Sequence, residues 1–268
     1  MSGGSFQISP ELAAYAGAWR RDLTTPENWV VFDLVDSTQR RARTVLERHF
    51  EEAEEPQPFA MAALGQWSGI GRQGRPWASA AGLGIYATVA SPVGDPERLS
   101  VVPLAVAVAL AEVLEPLLGD ALRLKWPNDL MVAGRKLGGI LCEAVVRGRR
   151  PWVLVGFGIN HGHRANSLPH PGATSLALSL RAEPPALAPL AARLVEATAR
   201  CLTRLERAAE IVERYRARVA HRPGDALSAE SDGARVAGRF AGIDERGFLL
   251  LETDHGTIAV RSGEVSGR

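Results

Sequence analysis

Cations, a carboxylate and paired glycines are concentrated in two neighbouring segments, Lys125–Leu130 and Arg135–Leu141. Lys136 stands directly before Leu137-Gly138-Gly139, at the predicted entrance to a strand where the backbone must pack closely. A lysine held there can neutralise the charge that develops when a carboxylate attacks the α-phosphate of ATP. The residue types therefore indicate a site that handles phosphate and an activated acyl group.

Several residues of this hairpin also have simpler explanations. Lys125 and Arg135 are compatible with cations at strand ends that reach into solvent. Asp129 could hold a lysine in place, help to bind Mg²⁺, or only form the turn together with Asn128.

A second candidate is the glycine- and arginine-bearing loop Gly65–Trp77. Residues 57–93 contain no acidic side chain, so Arg72 and Arg75 are unopposed locally. Glycines let the backbone approach a ligand and direct successive N–H groups at an anion, and arginine adds a planar fork for carboxylate or phosphate. Such a loop could be mobile when empty and close over a charged intermediate. The alternatives are a surface loop with solvated arginines, and a core position for Trp77.

Two further segments carry weaker signals. Asn160, at the end of Gly156–Asn160, offers a donor and an acceptor that fit an adenine edge or a ribose, although this is also a common exit from a strand. The hydroxyls of Asp36-Ser37-Thr38-Gln39 could bond a small polar head group, but helix capping explains them nearly as well. His161 and His163 lack further metal ligands nearby, which disfavours a metal site.

Length and composition limit the possibilities. The 268 residues can bury one core and carry a small second domain, and 46% hydrophobic and 23% charged residues are typical of a globular protein. A net charge of +1 gives no electrostatic case for binding bulk nucleic acid or a membrane. Cys142 and Cys201 are expected to be separate buried thiols in a reducing compartment. No apolar run of membrane-spanning length and no signal peptide are recognisable, so a cytoplasmic location is expected.

Hydrophobic periodicity predicts the elements that position these motifs. The predicted helices cover Pro10–Arg21, a segment capped by Asp36 or Ser37 and ending near His49, Leu99–Leu118, and one or two segments within Ala186–Val219. The predicted strands are Val30–Val35, Phe59–Leu64, Gly84–Ala90, Leu122–Trp126, Leu130–Val132, Gly139–Val146 and Trp152–Ile159. The last four are separated by short turns, one of them at Arg147–Arg150, and this spacing favours an antiparallel meander.

After the break at His221–Gly224 the sequence predicts a small β-barrel from four short strands. They are Ala226–Ala229, Arg235–Ile243, Phe248–Thr253 and Thr257–Val260. Because strands and helices do not alternate strictly, the predicted fold class is α+β.

Taken together, these segments resemble biotin protein ligases, which adenylate biotin and transfer it to a lysine of a carrier domain. The resemblance covers residues 30–268 and rests on Asp36-Ser37-Thr38, the loop from Gly69 to Trp77, Lys125–Asp129, Arg135–Ile140 and Gly156–Asn160. It implies a mixed, largely antiparallel sheet flanked by helices, as in class II synthetases, and a C-terminal SH3-like barrel. The implied division is an extension over residues 1–29, a catalytic domain over 30–221 and the barrel over 222–268.

The resemblance also implies roles for residues, with biotin and ATP as substrates and Mg²⁺ as the ion. The implied catalytic residues are Lys136, Arg72 and Asp129, and Asp129 is also the implied Mg²⁺ ligand. The implied biotin contacts are Ser37, Thr38, Gln66, Gly69, Gly71, Arg72, Lys136 and Gly139. The implied contacts to ATP or the adenylate are Arg72, Arg75, Trp77, Lys125, Asn128, Asp129, Lys136 and Asn160.

Two positions depart from the family pattern. Gln39 stands where the family usually has asparagine, and Ile70 stands where it usually has arginine between the first two glycines of the loop. The loss of that arginine predicts weaker retention of the adenylate but not loss of the reaction, because the other cations remain.

The implied partner is a biotin carboxyl carrier protein that supplies the acceptor lysine. A homodimer is also among the implied partners. DNA is not an expected partner, since only residues 1–29 precede the first predicted catalytic strand, and a membrane is not expected on the grounds of charge and apolar run length given above. Two alternatives stay open. One is a lipoate or octanoate ligase, and the other is a catalytically weak biotin-binding regulator.

Overall fold

The computed structural model describes residues 28–147, 150–231 and 234–267. The helix predicted over Pro10–Arg21 and part of the turn predicted over Arg147–Arg150 lie outside the described residues. The larger sheet has seven strands in the order β1-β2-β3-β7-β6-β5-β4. These are β1 (Trp29–Val35), β2 (Phe59–Gln66), β3 (Gly84–Pro92), β4 (Leu122–Lys125), β5 (Asp129–Val132), β6 (Arg135–Val145) and β7 (Trp152–Asn160).

The sheet is mixed but largely antiparallel, as predicted. Among the seven described strands β1 and β2 pair in parallel and the other neighbours pair antiparallel, and β4 to β7 form the expected meander. Strand β6 begins at Arg135 and not at Gly139 as predicted, because a bulge beside Leu130 and Met131 lets the chain resume pairing before the glycines.

The described residues contain five α-helices beside this sheet: α1 (Thr38–Glu51), α2 (Val102–Leu118), α3 (Leu176–Ser179), α4 (Leu187–Leu202) and α5 (Ala208–Arg216). Helix α1 packs its buried Ala42 and Leu46 beside Met61 and Leu154 on one face of the sheet. Helices α2 and α4 share a larger core with the side chains that point to the other face, such as Val153 and Val155. The sheet is therefore covered on both sides, which explains why β2 and β7 are apolar along nearly their whole length.

Helix α2 is shorter than predicted, because Pro96–Val101 forms a 3-10 turn before it. The expectation that no apolar run reaches membrane-spanning length is wrong by composition, because the segment Pro96–Ala121 is long and apolar enough to cross a bilayer. In the fold this segment packs against α4, α5 and the sheet. A buried core helix can be as long and as apolar as a membrane span, so the composition of this segment is weak evidence for a span.

The C-terminal residues form a second, five-stranded antiparallel sheet in the order β11-β10-β9-β8-β12. Its strands are β8 (Ala226–Ser231), β9 (Ala234–Ile243), β10 (Leu249–Thr253), β11 (Gly256–Val260) and β12 (Glu264–Gly267). The short β12 was missed because its four residues show no clear alternation. Trp126 ties this sheet to the first one, since its Nε1 donates to the carbonyl of Gly247 at 2.9 Å.

Candidate active site

A cavity of about 760 Å³ opens on the face of the sheet that carries α1. It is the size of a site for a small organic ligand. All the site residues predicted from the sequence line it: Ser37, Thr38, Gln66, Gly69, Gly71, Arg72, Arg75, Trp77, Lys125, Asn128, Asp129, Lys136, Gly139 and Asn160. The tertiary structure thus brings together segments that are more than 100 residues apart in sequence.

The cations of the cavity are held by polar side chains of the β4–β5 turn. Lys136 Nζ lies 2.6 Å from Asp129 Oδ1, and the two side chains are 26% and 18% exposed. Arg72 Nη1 donates to Asn128 Oδ1 at 3.1 Å, while Asn128 Nδ2 donates to the carbonyl of Ile140 at 3.0 Å. Asn128 and Asp129 therefore do more than form a turn, because each orients one cation towards the cavity.

Trp77 is one wall of the cavity. Its indole covers Gly158 and Gly139, where an added Cβ would lie 2.4 Å and 3.3 Å from the ring. Lys136 Nζ is 5.5 Å from the ring centroid, within the range of a cation–π contact. Trp77 is half-buried, and its ring both packs on these glycines and lines the cavity, so the packing role considered for it and a place in the site go together.

The loop between β2 and β3 is an ordered turn. Gly71 N–H donates to the carbonyl of Arg75 at 2.8 Å, and Trp77 N–H donates to the carbonyl of Gly69 at 2.8 Å. At the tip Gln73 and Gly74 adopt left-handed backbone angles, with φ of 56° and 71°. Gly69 is required by contact, because a Cβ there would lie 2.5 Å from the Trp77 carbonyl.

A chain of polar side chains borders the other part of the cavity. The backbone N–H and hydroxyl of Thr38 both donate to Gln66 Oε1, at 2.8 and 3.2 Å. Gln66 Nε2 in turn donates to Ser79 Oγ at 2.7 Å. Ser37 occupies the N-cap position of α1, but the capping bond considered for Asp36 or Ser37 is wrong for Ser37, whose side chain makes none.

Asn160 is 1% exposed, and its Nδ2 donates to the carbonyl of Thr174 at 2.9 Å. Its Oδ1 has no hydrogen-bond partner among the described residues. The side chain therefore presents an acceptor at the cavity, although its donor is used in fixing the loop after β7.

Histidine and cysteine contribute no metal site within the described ranges. His161 and His163 bond the carbonyls of Pro185 and Ser167, at 2.8 and 2.7 Å, so both hold loops together. The cysteines are free thiols, and burial raises the pKa of Cys142 to about 12. A thiol with that pKa is not a nucleophile at neutral pH.

Several lining residues were given no role by the sequence reasoning: Ser79, Thr88, Gly156, Gly158, His170 and Val265. Gly156, Gly158 and Asn160 alternate along β7 and so share one face, a period-2 signal that the sequence does contain. His170 and Val265 come from a loop and from the second sheet, and no local pattern could have placed them here.

The chain is similar to known proteins over most of its length. The Biotin/lipoate A/B protein ligase family profile matches residues 31–160, and the Biotin protein ligase C terminal domain profile matches residues 228–268. A biotin–[acetyl-CoA-carboxylase] ligase of Mycobacterium tuberculosis is 31% identical, over 88% of this chain and 89% of that one. The ligase of the same description from Paracoccus denitrificans is 34% identical, over 75% and 86%. The solved biotin protein ligase from Aquifex aeolicus in complex with biotin and ATP superimposes with a TM-score of 0.72 at 25% identity, over 91% and 99%.

Proposed function

The chain belongs to the biotin protein ligase family, and from that membership we propose that it uses ATP to convert biotin to biotinyl-5′-AMP and transfers the biotin to a carrier-protein lysine. One observation carries the assignment to this cavity. Its described lining contains five cationic side chains, Arg40, Arg72, Arg75, Lys125 and Lys136, and a single carboxylate, Asp129. That excess of positive charge suits a triphosphate and a substrate carboxylate.

In the first half-reaction a carboxylate oxygen of biotin attacks the α-phosphorus of ATP, and pyrophosphate leaves. Arg72 and Lys136 lower the repulsion between the two anions as they approach each other. Their contacts with Asn128 and Asp129 support this role, because cations already oriented need not be reorganised when charge develops.

In the second half-reaction the neutral amine of the acceptor lysine attacks the acyl carbon, and AMP leaves with the bonding electrons. The amine loses its proton as the amide forms, so the rate of transfer is expected to rise with pH. We propose that the loop Gly65–Trp77 shields the mixed anhydride from water until the carrier docks.

Asp129 is the one carboxylate available to Mg²⁺ among the described lining residues. Mg²⁺ in nucleotide sites is held largely by phosphates and water, with one or two protein carboxylates, so this single group fits the ion. Bound there, the ion would offset phosphate charge. Lys136 shares the same carboxylate, and it keeps Asp129 oriented towards the cavity.

The specific acceptor is proposed to be a biotin carboxyl carrier protein. The chain is also proposed to divide into an N-terminal extension (residues 1–29), a catalytic domain (30–221) and an SH3-like barrel (222–268). A homodimer and the absence of DNA binding stay predictions.

The test is ATP–pyrophosphate exchange with biotin, lipoate or octanoate, followed by transfer to an isolated carrier domain. We expect exchange with biotin at least about a hundredfold above the other two acids, and biotin on one carrier lysine. Preference for lipoate or octanoate would instead identify the protein as a lipoate or octanoate ligase. Binding of biotin without exchange would identify a regulator.

A further inference from the structure

Gln39 lines the cavity, but neither the family resemblance nor the proposed chemistry gives it a task. It is 3% exposed, and its Nε2 donates to Glu143 Oε2 at 2.6 Å and to the carbonyl of Leu154 at 3.2 Å. With both amide protons used, the orientation of the amide is determined and its Oε1 has to point the other way.

The partner of Gln39 is itself fixed. Glu143 lies on β6 and forms an ion pair with Arg43 of α1, whose Nη2 is 3.3 Å from Glu143 Oε1. Gln39 Oε1 accepts from Thr88 Oγ1 at 3.2 Å, and this hydroxyl also lies 2.9 Å from Thr38 Oγ1. Rotation of the Gln39 side chain would break contacts to three strands, so this wall of the cavity is rigid.

Gln39 covers Gly156 as Trp77 covers Gly158. A Cβ at Gly156 would lie 2.5 Å from Gln39 Oε1, and one at Gly158 would lie 2.4 Å from the Trp77 ring. The two glycines point to the same face of β7, so the two walls stand about 7 Å apart along the strand. Lys136 lies beside Trp77, which places the charged centre at the Trp77 wall and Gln39 at the opposite one.

We propose that the Gln39 amide, fixed by Glu143, is the stop that limits the size of the ring end of the acid that this enzyme adenylates. The proposal rests on the proposed function, because it takes the carboxylate end of the acid to lie at Arg72 and Lys136. Replacing the whole Gln39 side chain by the methyl group of alanine opens space above Gly156, where an acid with a larger ring system would fit.

The test measures exchange kinetics with biotin and with a biotin that carries an added propargyl group on its ring system. The proteins are the wild type, Gln39→Ala, the one-methylene truncation Gln39→Asn, and Gln57→Ala as a matched control at an exposed loop position. We expect the analogue-to-biotin ratio of kcat/KM to rise at least about tenfold in Gln39→Ala, less in Gln39→Asn, and not in Gln57→Ala. The change should lie mainly in KM for the analogue.

The outcomes separate this proposal from the proposed function. Wild-type exchange with biotin tests the function, and the ratio between the two acids tests the stop. An unchanged ratio in a Gln39→Ala protein that still exchanges biotin would overturn the proposal. The proposal would also be overturned if both Gln39 variants lost exchange with both acids while their melting temperatures stayed within a few degrees of the wild type. Gln39 would then be needed for binding the acid and not for limiting its size.

Discussion

Lys136 Nζ lies 2.6 Å from Asp129 Oδ1, across the neighbouring strands β6 and β5 and beside the ring of Trp77. The bulge at Leu130 and Met131 makes this contact possible. In a regular strand Lys136 and Gly139 would point to opposite faces, because they are three positions apart. The bulge puts both on the cavity face, where a Cβ at Gly139 would lie 3.4 Å from Lys136 Nζ.

Lys136→Ala is expected to lower kcat for biotin-dependent exchange by about a hundredfold to a thousandfold, because a pre-oriented charge at the reacting phosphate is lost. Asp129→Asn should cost less, about tenfold, because the cation stays but loses its anchor. Arg135→Ala is the matched control: this neighbouring cation donates to the carbonyl of Pro171 outside the cavity, and its loss should change kcat less than twofold. Equal effects of Lys136→Ala and Arg135→Ala would contradict the assignment.

Arg72 and Asn128 are expected to act as one unit, because Asn128 joins the Arg72 guanidinium to the Ile140 carbonyl. Arg72→Ala and Asn128→Ala should each lower kcat/KM, and the double variant should lose less than the sum. A double-mutant cycle should give a coupling of about 1 kcal/mol or more. Additive effects would mean that the contact does not position Arg72 in the transition state.

Gly158→Ala is expected to abolish most exchange without unfolding the protein. A Cβ at Gly158 would lie 2.4 Å from the Trp77 ring, so the ring would have to move away from its place in the cavity wall. Gly162→Ala is its control, since the nearest atom to a Cβ there is 3.6 Å away. The readouts are exchange rate and melting temperature. If Gly158→Ala exchanges as well as Gly162→Ala, the ring is not part of the working site.

Ile70→Arg is expected to lengthen the lifetime of bound biotinyl-5′-AMP severalfold. Ile70 lies in the ordered loop and pairs with Pro76 across its turn, so a longer cationic side chain would be presented at the cavity. Dissociation of radiolabelled adenylate measures the lifetime, and Ile70→Met controls for side-chain length without charge. A lifetime that stays the same in both variants would show that this departure from the family pattern does not govern retention.

Stability is expected to fall as the pH drops below about 6.5, because burial, and for His221 also the Lys125 charge, lowers the pKa of His161 and His221. Below the pKa that a histidine has in the unfolded chain, the unfolded chain binds a proton that the folded chain does not. The free energy of unfolding therefore decreases as the pH falls through that range. The slope is at most about 1.4 kcal/mol per pH unit for each histidine. Urea unfolding should show that the free energy of unfolding decreases less between pH 7.5 and 5.5 in His221→Gln than in the wild type. An identical decrease would exclude His221 as a source.

Local pattern was enough for most of the fold. The short turns between the strands β4 to β7 predicted the meander, and the helical spacing around Val102–Leu118 predicted the long core helix. Boundaries were predicted less well. The start of β6 depends on a bulge within the β5–β6 hairpin, and the start of α2 depends on a 3-10 turn that the Asp95 side chain caps. Hydrophobic periodicity indicates neither feature.

The sequence by itself determined which segments would line one site, because their motifs resemble those of a known family, and every site residue predicted from them lines the same cavity. The tertiary structure alone decided which of them touch. The pairing of Lys136 with Asp129 and of Arg72 with Asn128, the Trp77 wall over Gly158 and the Gln39 wall over Gly156 all depend on strand register. Register is set by the packing of whole sheet faces against helices, and the residue spacing within one motif does not contain that information.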